Sequence, residues 1–307
     1  MKPSKNLAIV LGLLSSLFFA FTFIINRKLS ITGGSWVWSA SLRFYWMLPF
    51  FLAIVVYRKN FHELVLELRK NLKWWLLWSS VGFGIFYSML TFAASFGPSW
   101  LIASTWQFTI IAGMIVSLFV NKTQNNQIEQ LKKPFLFSGI ILLGIAIMQI
   151  THAQSISMSE LLLGLIPVLI ASFAYPIGNR KMMQLVDGKL DVYQRILGMI
   201  LCSMPFWILL SGFELLINHV TPPSGQLVQT FIVAVCSGVI ATILFFTATD
   251  MVRSDEKQLA TIEATQSAEV IFTLIGEMLF LSVSFPNNIE LLGIALVMIG
   301  MILHAIK

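Results

Sequence analysis

An all-α membrane protein is the fold class this sequence predicts, built as ten transmembrane helices in two inverted-topology five-helix repeats. Three observations predict it. Hydrophobic residues make up 57% of the 307-residue chain and charged residues 11%, with a mean hydropathy of +0.83. A soluble domain of this length cannot hide that much apolar surface in its core. Apolar windows recur ten times at the length of about 20 residues that a helical span needs. Finally, Asn-Arg-Lys closes an apolar run at 26–28 and again 153 positions later at 179–181.

Taken in order, the windows fall at 6–26, 36–57, 74–94, 99–120, 134–151, 160–179, 193–217, 227–250, 258–281 and 288–306. Ten-residue segments of strict alternation, the pattern of a membrane β-barrel, do not occur in the sequence. The first window follows Met-Lys-Pro-Ser-Lys but is too long for a signal-peptide core and lacks a small-residue cleavage site, so it reads as a retained helix. Between windows two and three, "RKNFHELVLELRKNLK" (58–73) puts Phe61, Leu64, Val65, Leu68 and Leu72 on one side. That spacing fits a helix lying at the interface, or a connector that snorkels without a partner. The loop "NHVTPPSGQ" (218–226) has no base and no stripe. Cys202 and Cys236 fall inside windows seven and eight and suggest neither a disulfide framework nor a metal site.

The repeat recurs at near-constant offsets. Arg43 and Arg195 are 152 apart, and Gly139-Ile140 and Gly293-Ile294 are 154 apart. The halves are then 1–155 and 156–307. Five spans is an odd number, so the second half enters the membrane from the opposite side, and the twin Asn-Arg-Lys motifs close equivalent helices at opposite faces. Charge fixes the orientation. With both termini in the cytoplasm, seventeen Lys and Arg residues, including Lys2, Lys122 and Lys307, lie inside, and only Arg27 and Lys28 lie outside. Arg43 sits within window two, where it either pairs with an intramembrane acid or snorkels outward. The net charge of +6 therefore reports topology in a cell (plasma or inner) membrane, and nucleic acid is not expected as a partner.

The chemistry concentrates in window nine, "QLATIEATQSAEVIFTLIGEM" (258–278). Acids inside a membrane helix are expensive and call for a reason. On an α-helical wheel Thr261, Thr265, Glu269 and Thr273 form one stripe, with Gln258, Gln266 and Glu277 on its flanks. Glu269 is central in both stripe and span. It carries proton coupling or cation binding, or else it is a structural acid holding its helix to neighbours. Glu263 and Glu277, nearer the faces, fit the structural role, though Glu263 also counts among the chamber contacts.

Window four offers Trp106 and Gln107 at one level, an aromatic face beside an amide, and aromatic faces attract organic cations. Tyr87, Trp78 and Phe246 extend such a wall. Trp36, Trp38, Trp74, Trp75 and Trp100 fit the interfacial belts instead. The sequence has no nucleotide-binding glycine loop and no H-E-x-x-H, and its four histidines are scattered. An enzyme, a metal centre and an organic cofactor are accordingly not expected.

Ten spans in two inverted halves, a base early in spans two and seven, and "LLGIAL" opening the last span resemble the drug/metabolite transporter superfamily of EamA type. The stretch "EATQSAEVIFTLIGEMLFL" is similar to its multidrug resistance efflux transporter branch. The resemblance implies a ten-helix basket around a cavity lined by spans one, three, four, six, eight and nine, with five and ten peripheral. It implies a secondary transporter exporting small organic solutes, drug-like cations or metabolites, by proton- or ion-coupled alternating access. Glu269 would couple, and Trp106, Gln107, Thr265, Gln266, Glu263, Thr273, Phe246 and Tyr87 would contact substrate. An amino-acid exporter, a uniporter and a non-transporting membrane scaffold are the alternatives. The expected partners are a small-molecule substrate and membrane lipid, and the sequence sets no oligomeric state. One departure stands out, because the small multidrug proteins of the superfamily carry their acid in the first helix and span one here has none.

Overall fold

The computed structural model describes residues 5–120, 127–153, 157–281 and 285–306. Lys2, Lys122 and Lys307, and the repeat boundary at 155/156, lie outside the described residues. Every regular element within them is a helix. We number the helices α1 (Lys5–Ile31), α2 (Trp36–Tyr57), α3 (Phe61–Ala93), α4 (99–120) and α5 (Gln127–Ala153). They continue as α6 (Met158–Val186), α7 (Val192–Leu216), α8 (Ser224–Met251), α9 (256–280) and α10 (Asn288–Ile306). Among the described residues seven of these, α1 to α4 and α6 to α8, are long and apolar enough to cross a membrane. Shorter apolar stretches occupy Phe135–Met148 of α5 and Asn288–Leu303 of α10.

Helix starts follow local chemistry. Ser157 with Glu160, and Asp191 with Gln194, form capping boxes at the starts of α6 and α7. Asp255 accepts from the amides of Lys257 and Gln258 at the start of α9. The start of α4 is capped from a distance, because the Glu277 carboxylate accepts from the amides of Ser99 (2.8 Å) and Trp100 (3.1 Å). A carboxylate at a helix N-terminus satisfies orphan donors and meets the positive end of the dipole. Glu277 is therefore explained by structure.

The stretch 58–73 holds a helix of its own, for α3 is two helices joined across a kink at Asn71 (φ −128°, ψ 25°), the first beginning at Phe61. At the kink the Asn71 amide turns back onto Glu67 at 2.8 Å. Two expectations need correction. The second Asn-Arg-Lys does not close its helix, since α6 continues to Val186 and buries Asn179 and Arg180. Of the tryptophans assigned to the belts, Trp75 is fully buried against Gly198 and Leu64, and Trp38 donates to the Val220 carbonyl at 2.8 Å. Trp74, with 45% of its surface exposed, keeps the expected setting.

The helices are interrupted in matched pairs. A wide π turn runs over Ser80–Ile85 in α3 and over Ala234–Ala241 in α8. Helix α4 breaks at Gln107, and α9 tightens into a 3-10 turn at Thr265–Ser267. Packing has the same pairing, for α1 lies on α8 and α9, and α6 lies on α3 and α4. Helix α2 meets α7, and α5 meets α10. Two of these crossings are backbone to backbone, at Gly82 with Gly178 and at Gly144 with Gly293.

A side chain on Gly178 would strike the Gly82 backbone, whereas one on Gly139 meets nothing within 4 Å. We expect Gly178→Val to lose about 1–3 kcal/mol by forcing α3 and α6 apart. Gly139→Val serves as the unaffected control. Thermal unfolding of the purified variants in detergent checks the contrast.

Candidate functional site

Seven helices meet around one chamber. Its floor is aromatic. Phe86 lies 5.0 Å from Trp106 and 4.8 Å from Tyr175, ring centre to ring centre, and Tyr175 lies 6.1 Å from Phe245. Phe44 and Tyr87 meet edge to face on another side at 5.7 Å. Such rings exclude water and supply a large apolar contact area.

The polar groups on this wall are few. Thr22 of α1 and Ser237 of α8 are hydrogen-bonded to each other, and Ser237 also accepts from Arg43 Nη2 at 3.0 Å. Arg43 is buried and does not snorkel, and among the described residues it meets no acid. Its guanidinium lies 4.0 Å over the Tyr87 ring and 5.5 Å from Phe44. Tyr87 in turn accepts from the Asn26 amide at 3.2 Å. Arg43, Phe44 and Met47 bring α2 into the lining, which the resemblance did not imply.

Helix α9 supplies the acids. Glu263, Gln266 and Glu269 all line the chamber. They are three residues apart, not four, and the 3-10 turn between them is the cause. It advances about 120° per residue instead of about 100°, so side chains at i and i+3 eclipse. The expected four-residue stripe is thereby broken. Thr265 donates to the Ile262 carbonyl (2.6 Å) and lies against Gly12, and Thr273 is buried off the chamber. The same happens in α4, where the break lets Trp106 and Thr109 face the chamber while Gln107 turns back to donate to the Ala103 carbonyl at 3.1 Å. Of the residues singled out from sequence, Glu269, Glu263, Gln266, Trp106, Tyr87 and Phe246 come together here. Gln107, Thr265 and Thr273 pack behind them, and Trp78 stacks on Trp74 away from the chamber.

The acids differ in how they are held. Glu263 takes two contacts from Arg180 Nη2, at 2.9 Å and 3.0 Å. Sequence reasoning missed this pair because its members stand 83 residues apart and Arg180 was counted as a solvated base. Glu269 is 1% exposed, and its Oε2 has no hydrogen-bond partner among the described residues. Gln266 donates to Ser15 Oγ at 3.0 Å and to the Gly12 carbonyl at 3.3 Å, which ties α9 to α1. Tyr175 lies within electrostatic reach of Glu269, Glu263, Arg195 and Arg43.

A bundle of membrane-length helices around a chamber with a few charged groups has the form of a multi-pass membrane transporter. The family comparison agrees. Residues 6–307 match the family model described as "EmrE: Putative multidrug resistance efflux transporter". The chain belongs to that EmrE-type family of efflux transporters, within the drug/metabolite transporter superfamily, which is a family of transporters and not of enzymes. It is 51% identical over 304 residues to the "Uncharacterized protein YjlA" of Bacillus subtilis (strain 168), covering 97% of this chain and 94% of that one. It is 45% identical over 281 residues to a 42.1 kDa protein from the intracellular alkaline protease 3' region of Shouchella clausii, covering 90% and 74%. A crystal structure sharing 12% identity superposes with TM-score 0.70 over 98% of this chain and 96% of the other, a likeness of fold.

Removing one partner of a buried ion pair strands the other charge. Arg180→Met is expected to cost about 3 kcal/mol or more, and Arg180→Met with Glu263→Met to regain most of that loss. Unfolding midpoints of the single and double variants in detergent check it.

Proposed function

We propose that this chain is a secondary transporter of the cell membrane that moves small organic solutes by alternating access of two inverted five-helix halves. Its direction is export, by membership of an efflux family. Exchanging α1 with α6, α2 with α7, α3 with α8, α4 with α9 and α5 with α10 turns the contacts of α1 into those of α6 and returns the α2–α7 and α5–α10 contacts to themselves. It also exchanges the two π turns and the two helix breaks. That pairing supports the inverted repeat, and with it ten spans and a chamber where the halves meet. The bias of seventeen bases against two supports cytoplasmic termini.

The observation that carries the reading is Glu269. A carboxylate with no ion-pair partner among the described residues, buried on the wall of an aromatic chamber, is a group for which a proton and a cationic solute compete. Competition for one site couples two fluxes without any further device. Glu277, by contrast, is engaged in capping α4. A scaffold that had lost transport would not need an acid held this way.

Two outcomes are expected. In proteoliposomes with an imposed pH gradient, Glu269→Gln abolishes pH-driven uptake of the transported solute while the protein remains inserted and folded. Unchanged pH-driven flux would remove Glu269 from the mechanism. In a chain whose two cysteines are replaced by serine, a cysteine at Thr221 labels with an impermeant maleimide on intact cells. A cysteine at Lys189 labels only after lysis.

A further inference from the structure

We propose that the chamber is built for a zwitterion, with Glu269 receiving a solute's ammonium group, Arg43 its anionic group, and the aromatic floor its apolar body. This deepens the transport reading and rests on that chamber being the solute site.

The inference comes from asking how each buried charge is neutralised. Three arginines are almost wholly buried, Arg43, Arg180 and Arg195. Arg180 pairs with Glu263 at 2.9 Å, and Arg195 pairs with Asp250 at 3.5 Å while lying over the Phe246 ring. Arg43 has no carboxylate partner among the described residues; its Nε is buried without a hydrogen-bond acceptor, as are Nε and Nη2 of Arg195, so the missing carboxylate is what sets Arg43 apart. Ring faces and the hydroxyls of Ser237 and Tyr87 soften that charge but do not cancel it. The buried acids divide in the same way. Glu67 accepts from Asn71, Glu214 from Ser35 and Asn218, and Glu277 from two backbone amides. Glu269 has no such partner for its Oε2.

One base and one acid thus depart from the pattern, and both stand on the wall of the same chamber. They do not neutralise each other, for no ion pair joins them. Tyr175 stands within reach of both. A buried charge lacking a partner is retained against a considerable cost, and such cost is repaid where a ligand supplies the missing charge. A simple organic cation would satisfy Glu269 and leave Arg43 as it is. A simple anion would do the reverse. Only a solute carrying both charges completes the two groups together, and the rings between them call for an apolar body of aromatic or comparable size.

The test uses the purified full chain in lipid nanodiscs and three probes of one body, namely phenylalanine, phenethylamine and 3-phenylpropanoate. Affinities come from calorimetry or thermal stabilisation, which require no flux. We expect phenylalanine to bind about tenfold or more tightly than either singly charged analogue, the factor one charge-assisted hydrogen bond carries. Arg43→Gln should bring phenylalanine to the level of the amine and leave the amine unchanged. Glu269→Gln should bring it to the level of the carboxylate. The wild-type ranking stands by itself if either variant fails to fold. An amine that binds as tightly as the zwitterion, no binding of any probe, or a preference that survives both substitutions would overturn the proposal. Driven flux of simple cations with no zwitterion preference sinks this inference and leaves the transport reading intact. A zwitterion preference without flux of any solute does the opposite.

Discussion

Charge and backbone that cannot reach water must be satisfied from within, and nearly everything in this fold answers to that constraint. The long helices bury their own amides. The acids and bases inside them are then matched across distances of sequence that no local rule connects. Glu277 reaches from α9 to the amides that open α4, and Arg180 reaches from α6 to Glu263. Gln266 spans from α9 to α1. These links hold α9 to three other helices and position its acids around the chamber. Where matching is incomplete, at Arg43 and Glu269, the exception marks the wall that faces the open space.

Interruptions of helix geometry decide which side chains reach that wall. A π turn widens the helix and frees carbonyls, one of which, on Ser237, is taken up by Thr242 at 3.0 Å. A 3-10 turn tightens it and brings residues three apart into register. The chamber is surrounded by both kinds, in α3 and α8 and in α4 and α9. Without the tight turn in α9, Glu263, Gln266 and Glu269 would step about 60° apart and fan over about a third of the circumference instead of lining up in one row.

Much of the fold could be read from residues alone, since apolar windows of membrane length locate the helices. The depth of Glu269 and the aromatic character of Trp106, Tyr87 and Phe246 could also be read, because type and position in a window suffice. The facing of Thr265, Thr273 and Gln107 could not. It depends on where a helix departs from regular geometry, and a wheel drawn at constant pitch carries no such signal. The partner of Glu263 was hidden for a different reason. Arg180 lies where a cytoplasmic base is expected, and only packing shows the helix continuing past it.

The crossing of Gly82 and Gly178 has a mechanical consequence. With no side chain on either helix there, nothing interlocks, and the two rods can pivot about a point fixed by main-chain contact alone. Displacement grows with distance from such a hinge. In the proposed alternation of the two halves, a small rotation that left the glycines in touch would carry Phe86 and Tyr175 along with it. A pair of residues without side chains would then serve as the bearing, and the rings beyond it would be the part that travels.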